Sequence, residues 1–173
     1  MGRRGERRGA FDIAKNLLTA LQQRKEVPVL WFCFSRKECE QRARRNSWRS
    51  FLGGAERREI EAMFDDTCAT FQQDVSGDLI ELRNLVGRGI AYHHAGMLPI
   101  HKEIVERLFT SGLLKLLFTT ETFAMGVNMP AKTVVFNSLR KFNGVDFDWL
   151  RTRDYMQMAG RAGRQGIDTE GRW

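Results

Sequence analysis

The sequence predicts an α/β domain in which a mostly parallel sheet is sandwiched between helices. Three observations carry that expectation. Short apolar runs at residues 29–34, 90–93, 113–119 and 133–136 lack polar alternation, the pattern of strands covered on both faces. Between them lie stretches whose apolar residues recur at helical spacing. The chain has 173 residues, enough for one core and too few for two full domains, and its 42% hydrophobic and 28% charged content argues against disorder or a fibrous repeat.

The elements follow in order. Ile13, Leu17, Leu18 and Leu21 mark a helix over 11–25, with Arg24 and Lys25 at its carboxyl end and Pro28 stopping it. The strand at 29–34 leads into Ser35, a predicted N-cap for a helix reaching about Asn46, with Glu38 completing a capping box. A strand, a polar turn and a helix in that order place Ser35 and Arg36 at the carboxyl edge of the sheet, where α/β proteins bind ligands. Residues 47–88 read as a helical insertion: Gly53-Gly54 breaks the chain, Ile60, Met63, Phe64 and Thr67 share one helix face, and Leu79, Leu82 and Leu85 share another. Strand 90–93 follows, then a helix opened by Pro99, with Ile100, Ile104, Val105, Leu108 and Phe109 inward and Gly112 ending it. After strands 113–119 and 133–136, Asn143-Gly144 predicts a hairpin turn between 138–142 and 145–149. A last helix is expected from about Thr152 to Ala162.

Lys and Arg total 28 against 21 acidic residues, a net charge of +7 with pI near 9.8, which suits a polyanionic partner. The cations are 21 Arg and 7 Lys, and Arg is the residue fitted to forked contact with phosphate. Residues 1–10 hold four of those Arg and one Glu and read as an Arg/Gly-rich tail. The longest apolar run, residues 27–34, is too short to cross a bilayer, and the basic start has no apolar stretch of signal type behind it. Cys33, Cys39 and Cys68 cannot all pair and fit no zinc knuckle, so reduced thiols in an intracellular protein, cytoplasmic or nuclear, are expected.

The sharpest motif is Tyr155-Met156-Gln157-Met158-Ala159-Gly160-Arg161-Ala162-Gly163-Arg164. At i, i+3 its two arginines project to one side, and the glycines allow a ligand close to the backbone. That pair fits a nucleotide polyphosphate, where an arginine finger contributes roughly 10³–10⁵ in turnover in other systems. The stretches Thr119-Thr120-Glu121-Thr122-Phe123-Ala124-Met125-Gly126-Val127-Asn128-Met129-Pro130 and His93-His94-Ala95-Gly96-Met97 each follow a strand, as does Phe32 to Arg36. Strands of a parallel sheet end on one edge, so these three turns should converge there, and the Gly- and Arg-rich turn is expected to join them.

Together these segments resemble motifs IV, V and VI of superfamily 2 helicases. Residues 11–173, including Arg140-Lys141-Phe142-Asn143-Gly144-Val145-Asp146-Phe147, resemble the second RecA-like lobe of the superkiller-like, exosome-associated RNA helicases. The resemblance implies that Arg161 and Arg164 reach the γ-phosphate of ATP, that Gln157 senses it, and that Gly126 and Asn128 lie near the ribose. Thr119 and Thr120 would bind a nucleic-acid phosphate, and Ser35, Arg36, His94 and Gly96 would line the strand path. The hairpin at Asn143 and Gly144 would lie near the duplex junction. The implied partners are RNA, the first lobe of the same longer chain and an exosome-like or nuclease complex, with no membrane; the implied cofactors are ATP and Mg²⁺, both held mainly by that first lobe.

Plainer readings stand beside several of these. Thr119 and Thr120 could merely end a strand, and Asn128 could simply precede a Pro-bearing turn. His93 reads as a packed core histidine, His101 as solvent-facing and Trp31 as core, whereas Trp149 could touch a partner. Asp65-Asp66 reads as a polar helix end rather than a catalytic pair. No Gly is followed by Lys, so the chain has no GxxxxGK[ST] phosphate loop, and no Asp-Glu box follows a strand. The chain is therefore expected to be part of a longer enzyme and not to hydrolyse ATP alone. A DNA helicase of the related repair branch and a non-catalytic nucleic-acid or protein-binding module remain the alternatives.

Overall fold

In the computed structural model, which describes residues 2–121, 131–138, 140–142, 147–149 and 158–160, four short strands run side by side. They are β1 (Val29–Phe32), β2 (Ile90–His93), β3 (Leu116–Thr119) and β4 (Thr133–Phe136). All pairings are parallel, in the order β2-β3-β1-β4. Every residue of β1, β2 and β3 is buried. Successive side chains of a strand point to opposite faces, so complete burial means that both faces are covered. The fold is thus the RecA-like α/β sandwich that the apolar runs and the resemblance predict.

Among the described residues five helices of full length flank the sheet: α1 (Gly2–Gln23), α2 (Arg36–Arg45), α3 (Gly54–Thr70), α4 (Asp78–Val86) and α5 (Pro99–Thr110). The region expected as a helical insertion supplies α3 and α4, whose inner faces join the one core. Ile60, Phe64 and Cys68 of α3 and Leu79, Leu82, Leu85 and Val86 of α4 join Leu30, Phe32, Leu117 and Phe118 there. Each large side chain so buried contributes about 1.5–3 kcal/mol relative to exposure. Asp65 lies inside α3, not at a helix end, and grips Arg83 of α4 through two bonds, Nε–Oδ1 at 2.8 Å and Nη2–Oδ2 at 2.9 Å. Cys33, Cys39 and Cys68 are buried free thiols, and contact with Cys39 followed by burial pushes the Cys33 thiol well up.

Several boundaries differ from expectation, among them the end of β1, which stops at Phe32, two residues before the apolar run does. Helix α1 begins at Gly2, so residues 2–10 continue it; Arg propagates a helix well enough to carry the intervening glycines. Its inward stripe is Ala14, Leu18 and Leu21, while Ile13 and Leu17 face outward. Strand β3 starts at Leu116 because Gly112, at φ +81°, ends α5 and the amides of Lys115 and Leu116 must first reach the carbonyl of Gly89. The hairpin pairs β5 (Arg140–Phe142) with β6 (Phe147–Trp149), Phe142 opposite Phe147. The expected turn residues, Asn143 and Gly144, lie outside the described residues.

The register also sets the level at which the strands stop. Phe32 lies opposite Thr119 on one side and Phe136 on the other, and Thr119 lies opposite His93. The four carboxyl ends therefore form one even rim, and the turns after β1, β2, β3 and β4 all leave from it.

Candidate functional site

The rim is built first by the start of α2. Ser35 is in extended conformation, with φ −141°, and its Oγ accepts the amide of Glu38 at 3.1 Å. The reciprocal arm of the expected capping box is not formed. The Glu38 carboxylate instead accepts Arg42 Nε at 3.2 Å and the side-chain amide of Asn137, just past β4. This ties the helix start to the neighbouring strand end and leaves Ser35 and Arg36 exposed. Among the described residues no carboxylate pairs with the Arg36 guanidinium, so it is available to an external anion.

The turn after β2 lies directly against that arginine. A Cβ placed on Gly96 would stand 2.9 Å from Arg36 Cδ, 3.2 Å from Arg36 Nη1 and 3.1 Å from His94 Nδ1. Only glycine lets the arginine rest on this backbone undisturbed. His94 is buried, with its Nε2 2.8 Å from Glu40 Oε1, and its Nδ1 accepts the Gly96 amide at 3.1 Å. Both ring nitrogens are therefore engaged within the protein, and His94 shapes the turn. His93 is buried as expected, with Nε2 2.8 Å from Glu106 Oε1. Burial lowers its pKa, and the Glu106 hydrogen bond opposes that shift.

The end of β3 completes the rim. Thr119 is fully buried, and its hydroxyl donates to the carbonyl of Thr120 at 3.3 Å. Thr120 is 8% exposed, so of the two threonines it is the one that reaches the surface. Trp31 is core as expected, set against Phe118 and under the Arg42 guanidinium. Three carboxylates near the rim are engaged by protein side chains: Glu38 by Arg42 and Asn137, Glu40 by His94 and Arg44, and Glu106 by His93. Among the described residues no group of three or more His, Cys, Asp or Glu could hold a metal ion.

Comparison with known families decides what such a rim belongs to. Residues 10–166 match the helicase conserved C-terminal domain. The chain belongs to that family. Among its relatives, the exosome RNA helicase MTR4 of Homo sapiens is 42% identical over 172 residues, 98% of this chain and 16% of the relative. The DExH-box ATP-dependent RNA helicase DExH9 of Arabidopsis thaliana is 44% identical over 174 residues, 99% of this chain and 17% of its own. The superkiller complex protein 2 of Homo sapiens is 46% identical over 159 residues, 90% of this chain and 13% of its own. The chain thus spans about a sixth of the length of the first of these relatives.

Within this helicase C-terminal domain, Gln157, Arg161, Arg164, Gly126, Asn128, Asn143 and Gly144 lie outside the described residues. Met158 and Ala159 are helical and buried, Met158 within the main core, at the place where the last helix was expected. Glu40, Arg42, Glu106 and Asn137 were not anticipated from the sequence. The Glu38–Arg42 and Glu40–Arg44 spacings signal helix-face pairs, but no local pattern announces a contact between His94 and Glu40 across 54 positions.

Proposed function

We propose that this chain is the second lobe of an ATP-dependent RNA helicase that holds the nucleic-acid backbone along the rim. The observation that carries the reading is the Arg36 guanidinium, without a carboxylate partner among the described residues, resting on Gly96 beside the Ser35 cap on the rim that Thr120 also reaches. Arginine, hydroxyls and backbone amides hold phosphates without reading base sequence, which suits an enzyme that moves along a strand. The names of the relatives favour RNA over DNA and favour work beside an exosome-type or superkiller-type assembly.

In the longer enzyme, ATP and Mg²⁺ would be held mainly by a first lobe. Gln157, Arg161 and Arg164 would face the γ-phosphate when the lobes close, and Gly126 and Asn128 would border the ribose. Hydrolysis would release the lobes and shift the strand along Arg36, Gly96 and Thr120, with the hairpin at Asn143 and Gly144 near the duplex junction.

The test is RNA-stimulated ATPase of the enzyme carrying both lobes. An Arg164→Ala variant is expected to lose about 10³-fold or more in turnover; activity within about twofold of the parent would remove the arginine finger. Chain 1–173 alone is expected to give no RNA-stimulated turnover. Competition between RNA and DNA oligonucleotides of equal length separates this reading from a DNA helicase.

A further inference from the structure

We propose that Glu40 is a positioning residue for the rim, acting through the tautomer of His94. Its functional consequence rests on the nucleic-acid reading given above. The Gly96 amide donates to His94 Nδ1 at 3.1 Å, so that nitrogen presents a lone pair. The ring proton is then on Nε2, and it is donated to Glu40 Oε1 at 2.8 Å.

The carboxylate is itself held in place. Its other oxygen accepts Arg44 Nη2 at 3.1 Å, and Arg44 forks onto both oxygens of Glu81 at 3.0 Å. Glu81 Oε1 accepts the Tyr92 hydroxyl at 3.2 Å, and the Tyr92 ring stacks on His94 at 5.8 Å and 10°. The circuit closes on the imidazole it began with. Helix α4 thereby supports a turn at the end of β2 through the exposed face of α2.

Removing the acceptor leaves a buried Nε2–H without a partner, since His94 is only 4% exposed. The alternative tautomer offers no relief, because a proton on Nδ1 would point at the Gly96 amide, donor against donor. Either way the turn at 94–97 loses its fixed shape, and Arg36 loses the surface on which it rests. Glu40 touches no ligand; it sets the shape of the residues that do.

Long-range ¹H–¹⁵N correlation of the histidine rings in this chain tests the proposal, combined with amide titration by a single-stranded oligoribonucleotide of about 10 nucleotides. The parent should show a protonated Nε2, a bare Nδ1 and a Gly96 amide that shifts on titration. Glu40→Leu should mix the tautomers, move the Gly96 resonance and weaken oligonucleotide binding about fivefold, the equilibrium equivalent of one lost hydrogen bond. Glu40→Gln keeps an acceptor oxygen and should preserve both tautomer and affinity. In the Glu40→Leu background, His94→Asn should restore affinity to within about twofold, because a side-chain oxygen at that position accepts the amide two residues on without needing Glu40.

An unchanged tautomer and Gly96 resonance in Glu40→Leu would overturn the proposal, as would a Glu40→Gln variant as impaired as Glu40→Leu. If Glu40→Leu fails to fold, the smaller Glu40→Ala, which also removes the acceptor, decides through the same His94 ring and Gly96 resonances. A parent whose Gly96 amide ignores the oligonucleotide would instead count against the nucleic-acid reading, while the tautomer would still decide whether Glu40 holds the turn.

Discussion

Replacing Gly96 by alanine separates the stability of the rim turn from its grip on a phosphate. The new methyl would sit 2.9 Å from Arg36 Cδ and 3.2 Å from its Nη1, and an exposed arginine arm can swing away from such a contact cheaply. The third neighbour is less accommodating: His94 Nδ1, at 3.1 Å, belongs to a buried ring stacked on Tyr92 and bonded to Glu40. The Gly96 amide bond to it should therefore lengthen, at a cost of about 1 kcal/mol. For a domain of this size that lowers Tm by roughly 2–4 °C. Binding should suffer more, because the displaced guanidinium forfeits a charge-assisted contact worth about 1.5–3 kcal/mol, or at least about tenfold in Kd. Fluorescence anisotropy with a labelled single-stranded RNA, run beside thermal unfolding, reads both quantities. Arg36→Ala is the control, with the same loss of affinity and no loss of Tm. If Gly96→Ala binds like the parent while Arg36→Ala does not, the glycine is not what places the arginine.

Three further outcomes follow from the core and its charges. His93 has a pKa lowered from 6.5 by burial, so the unfolded chain takes up a proton that the folded one resists; denaturant midpoints should be flat above about pH 7 and fall as pH drops below 6.5, and His93→Gln should flatten that slope. The hydrogen bonds from Arg83 hold the Asp65 carboxyl below its usual 3.8, so its contribution is present above that pH and is lost as pH falls through the depressed value. Asp65→Asn, at a half-exposed pair joining α3 to α4, should cost only about 0.5–1 kcal/mol in urea unfolding at neutral pH. Phe118→Ala, which empties a fully buried site beside Trp31, should cost about 3–5 kcal/mol in the same assay.

Elements whose physics is local were legible in the sequence. The strand at 90–93 and that at 133–136 begin and end where the apolar runs do, and Ser35 caps the helix it was expected to cap. The parallel order of the sheet follows from alternating strands and helices, and that order alone brings the turns after β1, β2 and β3 to one edge. What escaped depends on contacts between distant positions. Glu38 had two partners to choose from, the cap amide or Arg42 with Asn137, and only the tertiary fold places Asn137 within reach. His94 gives no sign in its neighbours that Glu40 will take its proton. Of the residues whose spacing marks α1, Ile13 and Leu17 face outward, and the core takes Ala14, a small residue that carries little weight in a search for large apolar side chains.

The even rim has a consequence for how chain length can vary. Phe32, His93, Thr119 and Phe136 finish in step, and one added residue lengthens a strand by about 3.3 Å. That is a full hydrogen-bond length. A single insertion inside any one strand would lift its turn out of reach of a phosphate gripped by the others, and would also swap which of its side chains face each helical layer. Growth and trimming are therefore tolerable in the connections at the amino-terminal side of the sheet, and a protein engineer lengthening this domain should cut there.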